Sequence, residues 1–458
     1  MEQVRVVRVI SAAVALVAGL GAATSTTVDI ATARRLAADT LNGRSLEYTR
    51  TLTETIGGRL TGSAAYNRAV EWAASELQSA GGVKVAFEPF SMARAWDRIG
   101  PASASIVSPV VEPLTIASLG WAPSTPDGGI EGEVIAVRPA ASGLDGRVRG
   151  RLVLADDDAP PDFDRRVRDA GALALLVADP DPGKLLVARV RDFGGDLAAL
   201  PSATVSHDDV ARLRQLISRG PVRVAMSLPN SVSPGAVTVR SVVAEIKGRE
   251  QPDEWVLVGA HLDSWDLATG AQDNATGVAM VVDAARAIAA VGRAPRRTIK
   301  FALWGGEEQG LLGSSAYVRA HGPELERAVA ILNADAGTGR IIGWTTPGRE
   351  DVADRVRTIA RLVLEDLGAA AVDRSMQYAF DSDGGPFLRR GVPVLDLNAD
   401  DSRYEEIHHR STDTIERVNA HNLAVGAATV AVTAYAIADA PNRFAAHKPV
   451  KEPSRRSP

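Results

Sequence analysis

The chain contains no cysteine, which excludes disulfide scaffolds, thiolate metal sites and cysteine nucleophiles. Histidine is scarce, with seven in 458 residues, so a metal site in this protein has to rely on aspartate and glutamate. A large charge of one sign is also missing, because 51 basic and 56 acidic side chains give a formal net charge of −5. This charge provides no electrostatic basis for binding nucleic acid or an anionic membrane.

The composition is that of a folded globular protein. Hydrophobic residues make up 45% of the chain and charged residues 23%, a balance that argues against disorder. At about 100–200 residues per domain, the length allows two or three domains. Five of the seven histidines fall between His261 and His421, which places the predicted chemistry in the C-terminal half.

The first residues have the pattern of an export signal. Arg5 and Arg8 precede the apolar run Val9–Ala23, which is fifteen residues long. A helix that spans a bilayer needs about 20 apolar residues, so this run is too short. This pattern predicts a cleavable signal peptide over residues 1–24, with a buried N-terminal helix as the alternative. No other segment is apolar enough to predict a membrane span, so we expect an exported protein, secreted or periplasmic.

The pattern of strands and helices predicts an α/β protein with an insertion. Residues 30–113 and 235–440 are expected to form one domain, with a mixed, largely parallel central sheet and helices on both faces. Its first helical stretch is predicted over residues 32–60. Residues 114–230 carry short β-rich segments between acidic, Pro/Gly-rich loops and predict an inserted β-rich α/β domain. The Pro- and charge-rich residues 441–458 predict a disordered tail.

Side chains that bind metals follow the predicted strands of the second part of the chain. In open α/β sheets, ligands bind beyond the carboxyl ends of the strands. The residues at these positions are His261, Asp263, Asp273, Glu307, Glu308, Asp335, His408 and His409. Two histidines and three carboxylates suit a pair of zinc ions that share one carboxylate, because three ionised carboxylates and one hydroxide balance two divalent cations.

Four segments resemble the signature segments of the co-catalytic zinc aminopeptidase family, and they are most similar to its carboxypeptidase Q-like branch. They are AHLDSWDLATGAQDNATG, WGGEEQGLLGSSAYV, NADAGTG and HHRSTDT. Residues Ile56–Leu77 are similar to the N-terminal segment of that family, and the insertion resembles a protease-associated domain. The resemblance implies the zinc-exopeptidase (phosphorylase/hydrolase-like) fold, two Zn²⁺ ions per chain and small peptides as substrates.

The resemblance also implies a ligand set. It makes Asp273 the carboxylate that bridges the two zinc ions. One ion would be completed by His261 and Asp335, and the other by Glu308 and His409.

Two further roles follow from the same resemblance. Glu307 would be the general base that takes a proton from the attacking water and returns it to the leaving amine. Asp263 would accept the imidazole N–H of His261 and so fix its tautomer.

Ordinary structural roles compete with these assignments. Asp273 suits a helix N-cap, Glu307 and Glu308 suit a solvated helix start, and Asp335 suits a turn before a glycine. His261 on its own would be a strand-end histidine.

The choice between His408 and His409 follows from the family pattern, which places the ligand four residues before the aspartate of Asp-Thr and selects His409. Asp413 either orients a ligand or caps the helix that follows, and both alternatives stay open. Further loop residues either line the substrate pocket or are simply polar; they are Tyr378, Asp383, Arg403 and Tyr404. The remaining histidines are expected at the surface; they are His207, His321, His421 and His447.

The leading hypothesis is an exported dinuclear zinc exopeptidase that acts on short peptides as an aminopeptidase or dipeptidase. A single-zinc aminoacyl cyclase of the same fold is the alternative enzyme, but it would not need five ligands. The third hypothesis is a peptide-binding protein without catalysis. No motif indicates whether the pocket recognises a free amine or a free carboxylate.

Overall fold

A computed structural model describes residues 29–138, 144, 146–160, 162–183, 186, 194–400 and 403–452, with the backbone alone at position 405. The predicted signal peptide lies outside these residues, so its interpretation stays a prediction. The same holds for the last six residues of the chain.

Ten α-helices occur in the described residues. They are α1 (Ile30–Leu41), α2 (Ser45–Arg50), α3 (Ala64–Ser79), α4 (Phe163–Asp169), α5 (His207–Ile217), α6 (Thr276–Ala290), α7 (Leu312–Ala320), α8 (Glu350–Val363), α9 (Gly385–Arg389) and α10 (Ala420–Asp439).

The same part of the chain contains eighteen strands. They are β1 (Lys84–Met92), β2 (Trp96–Arg98), β3 (Ser103–Ser108), β4 (Glu112–Leu114), β5 (Ile116–Ser118), β6 (Ile130–Ala136), β7 (Leu152–Ala155), β8 (Ala174–Ala178), β9 (Ser202–Val205), β10 (Arg223–Ser227), β11 (Asn230–Val232), β12 (Val237–Ile246), β13 (Gln251–His261), β14 (Arg297–Trp304), β15 (Ala328–Asn333), β16 (Arg340–Thr345), β17 (Ala371–Asp373) and β18 (Val394–Asp400).

The central sheet has the order β1-β12-β14-β13-β15-β18-β16-β17. Its middle strands β14, β13, β15 and β18 pair in parallel, whereas β1, β12 and β16 join the sheet by antiparallel pairing. The prediction of a mixed α/β sheet is confirmed, with parallel pairing concentrated at the centre. The carboxyl ends of the four middle strands therefore meet at one edge.

Helices cover both faces of this sheet because its strands are apolar on both sides. Along β13, Val256 and Val258 pack in the core that includes α6 and α10, whereas Trp255 and Leu257 pack in the opposite core with α7 and α9. Because β13 is largely apolar and buried over its last seven residues, its end at His261 lies deep inside the domain.

A second eight-stranded sheet, with the order β4-β3-β10-β6-β7-β8-β9-β5, forms the second module. One face packs against α5 and the other against α4, each with its own hydrophobic core. The predicted start of the insertion at residue 114 is wrong, because β3 and β4 already belong to this sheet. The pattern missed them because both strands are short and partly exposed. Whether this module is a protease-associated domain stays a prediction.

The helix predicted over residues 32–60 is interrupted. It divides into α1 and α2 around Gly43, and a turn of π-helix follows α2. A side chain at Gly43 would clash with the Asp283 carboxylate on α6, and the Arg44 N–H donates to that carboxylate at 3.1 Å. The chain breaks the helix here because it passes so close to α6.

The predicted disordered tail is wrong for residues 441–452. Phe444 is buried in the main core, and the Lys448 N–H donates to the Gly391 carbonyl at 2.9 Å. Proline and charge dominate the composition of this segment, but one buried phenylalanine and these backbone bonds tie it to the domain.

A helix was predicted to follow Thr414, and α10 begins six residues beyond it, at Ala420. Its 20 residues are long and apolar enough to cross a membrane by length and composition alone, so the expectation that no segment beyond the signal peptide is that apolar is wrong. Most of its residues are buried, and it packs against α1 and α6. In this fold it is the central helix of the main core.

Candidate metal centre

The sheet brings the predicted ligands together at the carboxyl ends of its middle strands. His261 ends β13, Glu307 and Glu308 follow β14, and Asp335 follows β15. Asp273 precedes α6, and His409 lies beyond β18 on a loop that returns to the same edge. The structure thus collects all the predicted ligands at the edge where the parallel strands end.

Asp273 lies between two groups of side chains. Its Oδ1 is 3.1 Å from His261 Nε2, and its Oδ2 is 3.5 Å from His409 Nε2. Asp335 Oδ1 completes the first group at 3.4 Å from His261 Nε2. Glu308 Oε2 completes the second group at 2.9 Å from His409 Nε2. Each group therefore offers one imidazole and two carboxylates, with Asp273 common to both.

The donor set fits divalent cations. Imidazole nitrogen and carboxylate oxygen are the ligands that zinc takes in cysteine-free sites. The ligand atoms of His261, Asp273 and Asp335 all lie within 4.8 Å of one another. In the second group, Glu308 Oε1 is buried and has no hydrogen-bond partner among the described residues. A buried carboxylate oxygen without a partner is costly, and a cation would satisfy it.

His409 is better placed than His408 to bind a metal. His408 Nε2 is 3.8 Å from Asp273 Oδ2, and its ring stacks on Tyr404 with centroids 5.1 Å apart. His409 has the shorter contacts and an edge-on contact with Trp265. Its φ is +57°, an unfavourable conformation for a residue with a Cβ that is found where the surroundings enforce it.

The predicted role of Asp263 needs correction. His261 Nδ1 lies 3.0 Å from the main-chain carbonyl of Asp263 but 3.8 Å from its carboxylate. The carbonyl therefore accepts the Nδ1–H and leaves Nε2 free to bind a metal. The buried carboxylate instead accepts the Thr61 hydroxyl at 2.7 Å and faces the N–H groups of Glu307 and Glu308 at 3.4 Å each. It positions the loop that carries both glutamates.

Other acids and hydroxyls orient the ligands. The Ser382 hydroxyl donates to Asp335 Oδ2 at 2.7 Å. Asp413 accepts the N–H of Gln272 at 2.8 Å and that of Asp273 at 3.1 Å. Of its two open roles, the geometry therefore favours orienting a ligand. Burial raises the pKa of Asp413 to about 7, although the two backbone N–H groups oppose this rise.

Glu307 lies at the edge of the two groups and is partly exposed. Burial raises its pKa well above the usual range, with Asp335 and Glu308 adding to the rise and His261 opposing it. Positive charge at the two groups would bring this pKa down again. A carboxylate so placed can hold a proton and release it during a reaction.

Arg59 is a component of the site that the sequence analysis missed. Its side chain is fully buried and donates to the main-chain carbonyls of Leu262 at 2.9 Å, Thr269 at 2.8 Å and Gly270 at 2.9 Å. It thus holds the loop between His261 and Asp273. Burial lowers the pKa of Arg59 to about 10 against the opposing effect of nearby carboxylates. In the sequence, Arg59 is marked only by its place within Ile56–Leu77, the segment that is similar to the N-terminal segment of the family.

Replacing Arg59 with methionine is expected to lower the free energy of unfolding by about 3 kcal/mol or more, because buried carbonyls left without donors cost about 1–3 kcal/mol each. Urea denaturation measures this loss. Arg35 is the matched control, since it donates to two carbonyls at the surface, and Arg35→Met is expected to change stability by about 0.5 kcal/mol or less. Equal effects of the two changes would contradict the role of Arg59.

The other loop residues differ in their relation to the site. Tyr404 lies under His408, whereas Tyr378 is 69% exposed and Arg403 is exposed beside Glu406. Asp383 is buried, and burial raises its pKa to about 7, although His261 and the Ser314 hydroxyl oppose this rise.

The histidines predicted at the surface divide into two pairs. His207 and His421 are exposed. His321 is half-buried beside Glu88, and His447 is half-buried against the Ala328 carbonyl, so these two expectations are wrong.

A cavity of about 220 Å³ opens beside the ligand loops. Its walls include Gln272, which precedes Asp273, and Tyr404, which stacks on His408. Arg403, Glu406 and Arg417 supply charged groups to it.

Comparison with known proteins gives consistent results. Residues 241–434 match the sequence model of peptidase family M28. Carboxypeptidase Q of Rattus norvegicus is 29% identical over 412 residues, which cover 86% of this chain and 85% of that protein. The solved structure of a peptidase M28 precursor from Shewanella amazonensis SB2B is 30% identical with a TM-score of 0.78, over 92% of this chain and 99% of that chain.

A more distant solved structure shares the fold. BSAP, a zinc aminopeptidase from Bacillus subtilis, has a TM-score of 0.66 at 19% identity, over 85% of this chain and 93% of that chain. At that identity the likeness concerns the fold alone.

Proposed function

The chain belongs to peptidase family M28, in its carboxypeptidase Q-like branch, and from this premise we propose that it is a dinuclear zinc exopeptidase that hydrolyses short peptides. The observation that carries the proposal is the position of Asp273, whose two oxygens face the imidazoles of two separate ligand groups. A carboxylate in that position is suited to hold two cations side by side.

The two ligand groups define how the ions would be held. His261, Asp273 and Asp335 would bind one zinc, and Asp273, Glu308 and His409 the other. When bound, two zinc ions polarise the scissile carbonyl and lower the pKa of the attacking water. The imidazole and carboxylate donors of both groups support the choice of zinc.

The chain's own residues supply the proton transfers and the positioning. Glu307 takes the proton of the attacking water and returns it to the leaving amine. Asp263 holds the loop of Glu307 through the two backbone N–H groups. Asp413 fixes the backbone before Asp273. These contacts place the base and the ligands before substrate arrives, which reduces the reorganisation that catalysis requires.

The substrate's free amine is the favoured recognition group. Three ligand carboxylates and a hydroxide would balance the two zinc ions, so Glu307 is the carboxylate that leaves net negative charge at the centre, and this charge attracts a protonated N-terminus. We therefore favour an aminopeptidase or dipeptidase over a carboxypeptidase, although relatives carry the name carboxypeptidase Q. We further propose that the protein is exported to a secreted or periplasmic location and that the second module is a protease-associated domain.

Three matched short peptides test this function: one with both ends free, one N-acetylated and one C-amidated, each with and without a chelator. We expect cleavage to require the free amine and to stop with the chelator. Cleavage of the doubly free dipeptide alone would select the dipeptidase. Cleavage of the acetylated peptide but not the amide would select a carboxypeptidase. No chelator-sensitive cleavage of any peptide would contradict the peptidase and favour the cyclase or the binding protein.

A further inference from the structure

The second module contacts the catalytic domain at loops that carry the ligands. Asp181, just beyond β8, forms an ion pair with Arg410 at 2.8 Å. Arg410 directly follows His409 in the sequence. The Arg410 side chain is 15% exposed and that of Asp181 33%, so water screens this pair less than an ordinary surface pair.

A second contact reaches the loop of Glu308. The Gly194 N–H, in the second module, donates to the main-chain carbonyl of Gln309 at 2.8 Å, and Gln309 directly follows Glu308. The φ of Gly194 is +93°, a conformation that a residue with a Cβ avoids. The second module therefore contacts the chain next to both Glu308 and His409, which are the two unshared ligands of one group.

A third contact reaches the loop between His261 and Asp273. Arg98 donates to both oxygens of Asp266 on this loop, at 3.0 and 3.1 Å. The same guanidinium donates to the carbonyl of Ser118, at the end of the edge strand β5 of the second sheet, at 3.1 Å. Both charged side chains are 13% exposed. Arg98 thus connects the second sheet to the loop that leads to the shared ligand.

We propose that the second module is a positioning element of the metal centre, through the ion pair Asp181–Arg410 and through Arg98, which lies on β2 and links the Ser118 carbonyl of the second sheet to Asp266. This inference rests on the two-zinc site proposed above. Residues that orient ligands typically change metal affinity by about 10- to 100-fold when they are replaced. The Asp181 pair acts next to His409 alone, so it affects the zinc held by Glu308 and His409. The Arg98 pair acts on the approach to Asp273, so it affects both ions.

Zinc titration of the full chain tests this proposal, with a chromogenic chelator as competitor. Wild-type protein is expected to bind two zinc ions in two steps. Asp181→Asn keeps the size of the side chain and removes its charge, and it is expected to weaken one of the two steps by about tenfold. Asp266→Asn is expected to weaken both steps. Asp181→Glu keeps the charge and should restore part of the lost affinity.

Glu131→Gln is the matched control, since Glu131 pairs with Arg223 at 2.8 Å within the second module and away from the ligand loops. It should leave both steps unchanged. Thermal unfolding of the metal-free proteins measures the structural cost of losing the pair, and the zinc titration measures positioning, because general damage would weaken both zinc steps alike whereas Asp181→Asn is expected to weaken one.

Three results overturn the inference. Asp181→Asn with both zinc steps as in the wild type would show that the pair does not position the ligands. A lower melting temperature with an unchanged ratio of the two affinities would show a purely structural contact. A wild-type protein that binds fewer than two zinc ions would instead contradict the proposed two-zinc function, and the inference with it.

Discussion

Replacing Glu307 with glutamine is expected to lower kcat by about 100- to 10,000-fold while the protein keeps both zinc ions, because a positioned general base contributes a factor of that size. The glutamine side chain has nearly the same shape but cannot take a proton from water. Glu307 is not among the side chains that complete either ligand group in the described structure, so its loss should not release metal.

Steady-state kinetics and metal analysis of the purified variants measure the two effects separately. Glu308→Gln is the control, since Glu308 lies 2.9 Å from His409 and belongs to the second ligand group. That variant should lose zinc as well as activity. If Glu307→Gln also loses zinc, Glu307 is a ligand rather than the base. If it retains full activity, the proton transfer belongs to another residue.

The position of the candidate ligands at one edge of the sheet could be predicted from the sequence because it depends on local rules, whereas their assignment to two zinc ions came from the family resemblance. Apolar runs predicted the strands, and parallel strands place the residues after them at one edge. His261 ends a strand buried on both faces, so its position follows from the pattern of β13 itself. The same rule brought Asp335 to this edge from the end of β15. The periodicity of the sequence therefore suffices for residues that directly follow core strands.

The supporting contacts could not be predicted, because they join distant parts of the chain. Thr61 donates to Asp263, which lies 202 positions later in the sequence. Arg59 donates to Leu262, which lies 203 positions later. Nothing in the local sequence distinguishes the carbonyl of Asp263 from its carboxylate as the partner of His261. That choice depends on how the loop turns after β13, which tertiary packing decides.

The second module shows the same limit. Its core strands β6 to β10 were predicted from their apolar runs, but β3 and β4 were missed because short, partly exposed strands carry a weak pattern. The pairs Asp181–Arg410 and Arg98–Asp266 join charged residues that lie far apart in the sequence. Charged loop residues of this kind look like ordinary solvated side chains until the two modules are placed together.

Replacing Asp273 with alanine is expected to remove both zinc ions and to abolish activity. Asp273 is the ligand that the two groups share, with one oxygen directed at each imidazole. Without it each group retains two protein ligands, fewer than the three or four that hold zinc in proteins. Losing a residue that only hydrogen-bonds to a metal ligand lowers metal affinity by up to about 100-fold. Losing Asp273 itself should therefore lower zinc affinity by more than this. Asp335→Ala, which removes a ligand from one group alone, should leave one ion bound.

Asp283→Ala separates this effect from the general cost of removing a buried aspartate. Asp283 lies on α6, the helix that follows Asp273, and accepts bonds from Arg44 and Arg286, which belong to neither ligand group. Its replacement should lower the melting temperature but leave two zinc ions per chain. If Asp273→Ala still binds two ions, the carboxylate is not shared, and each metal group must hold its ion without it. Two zinc ions in Asp335→Ala would contradict the assignment of Asp335 in the same way.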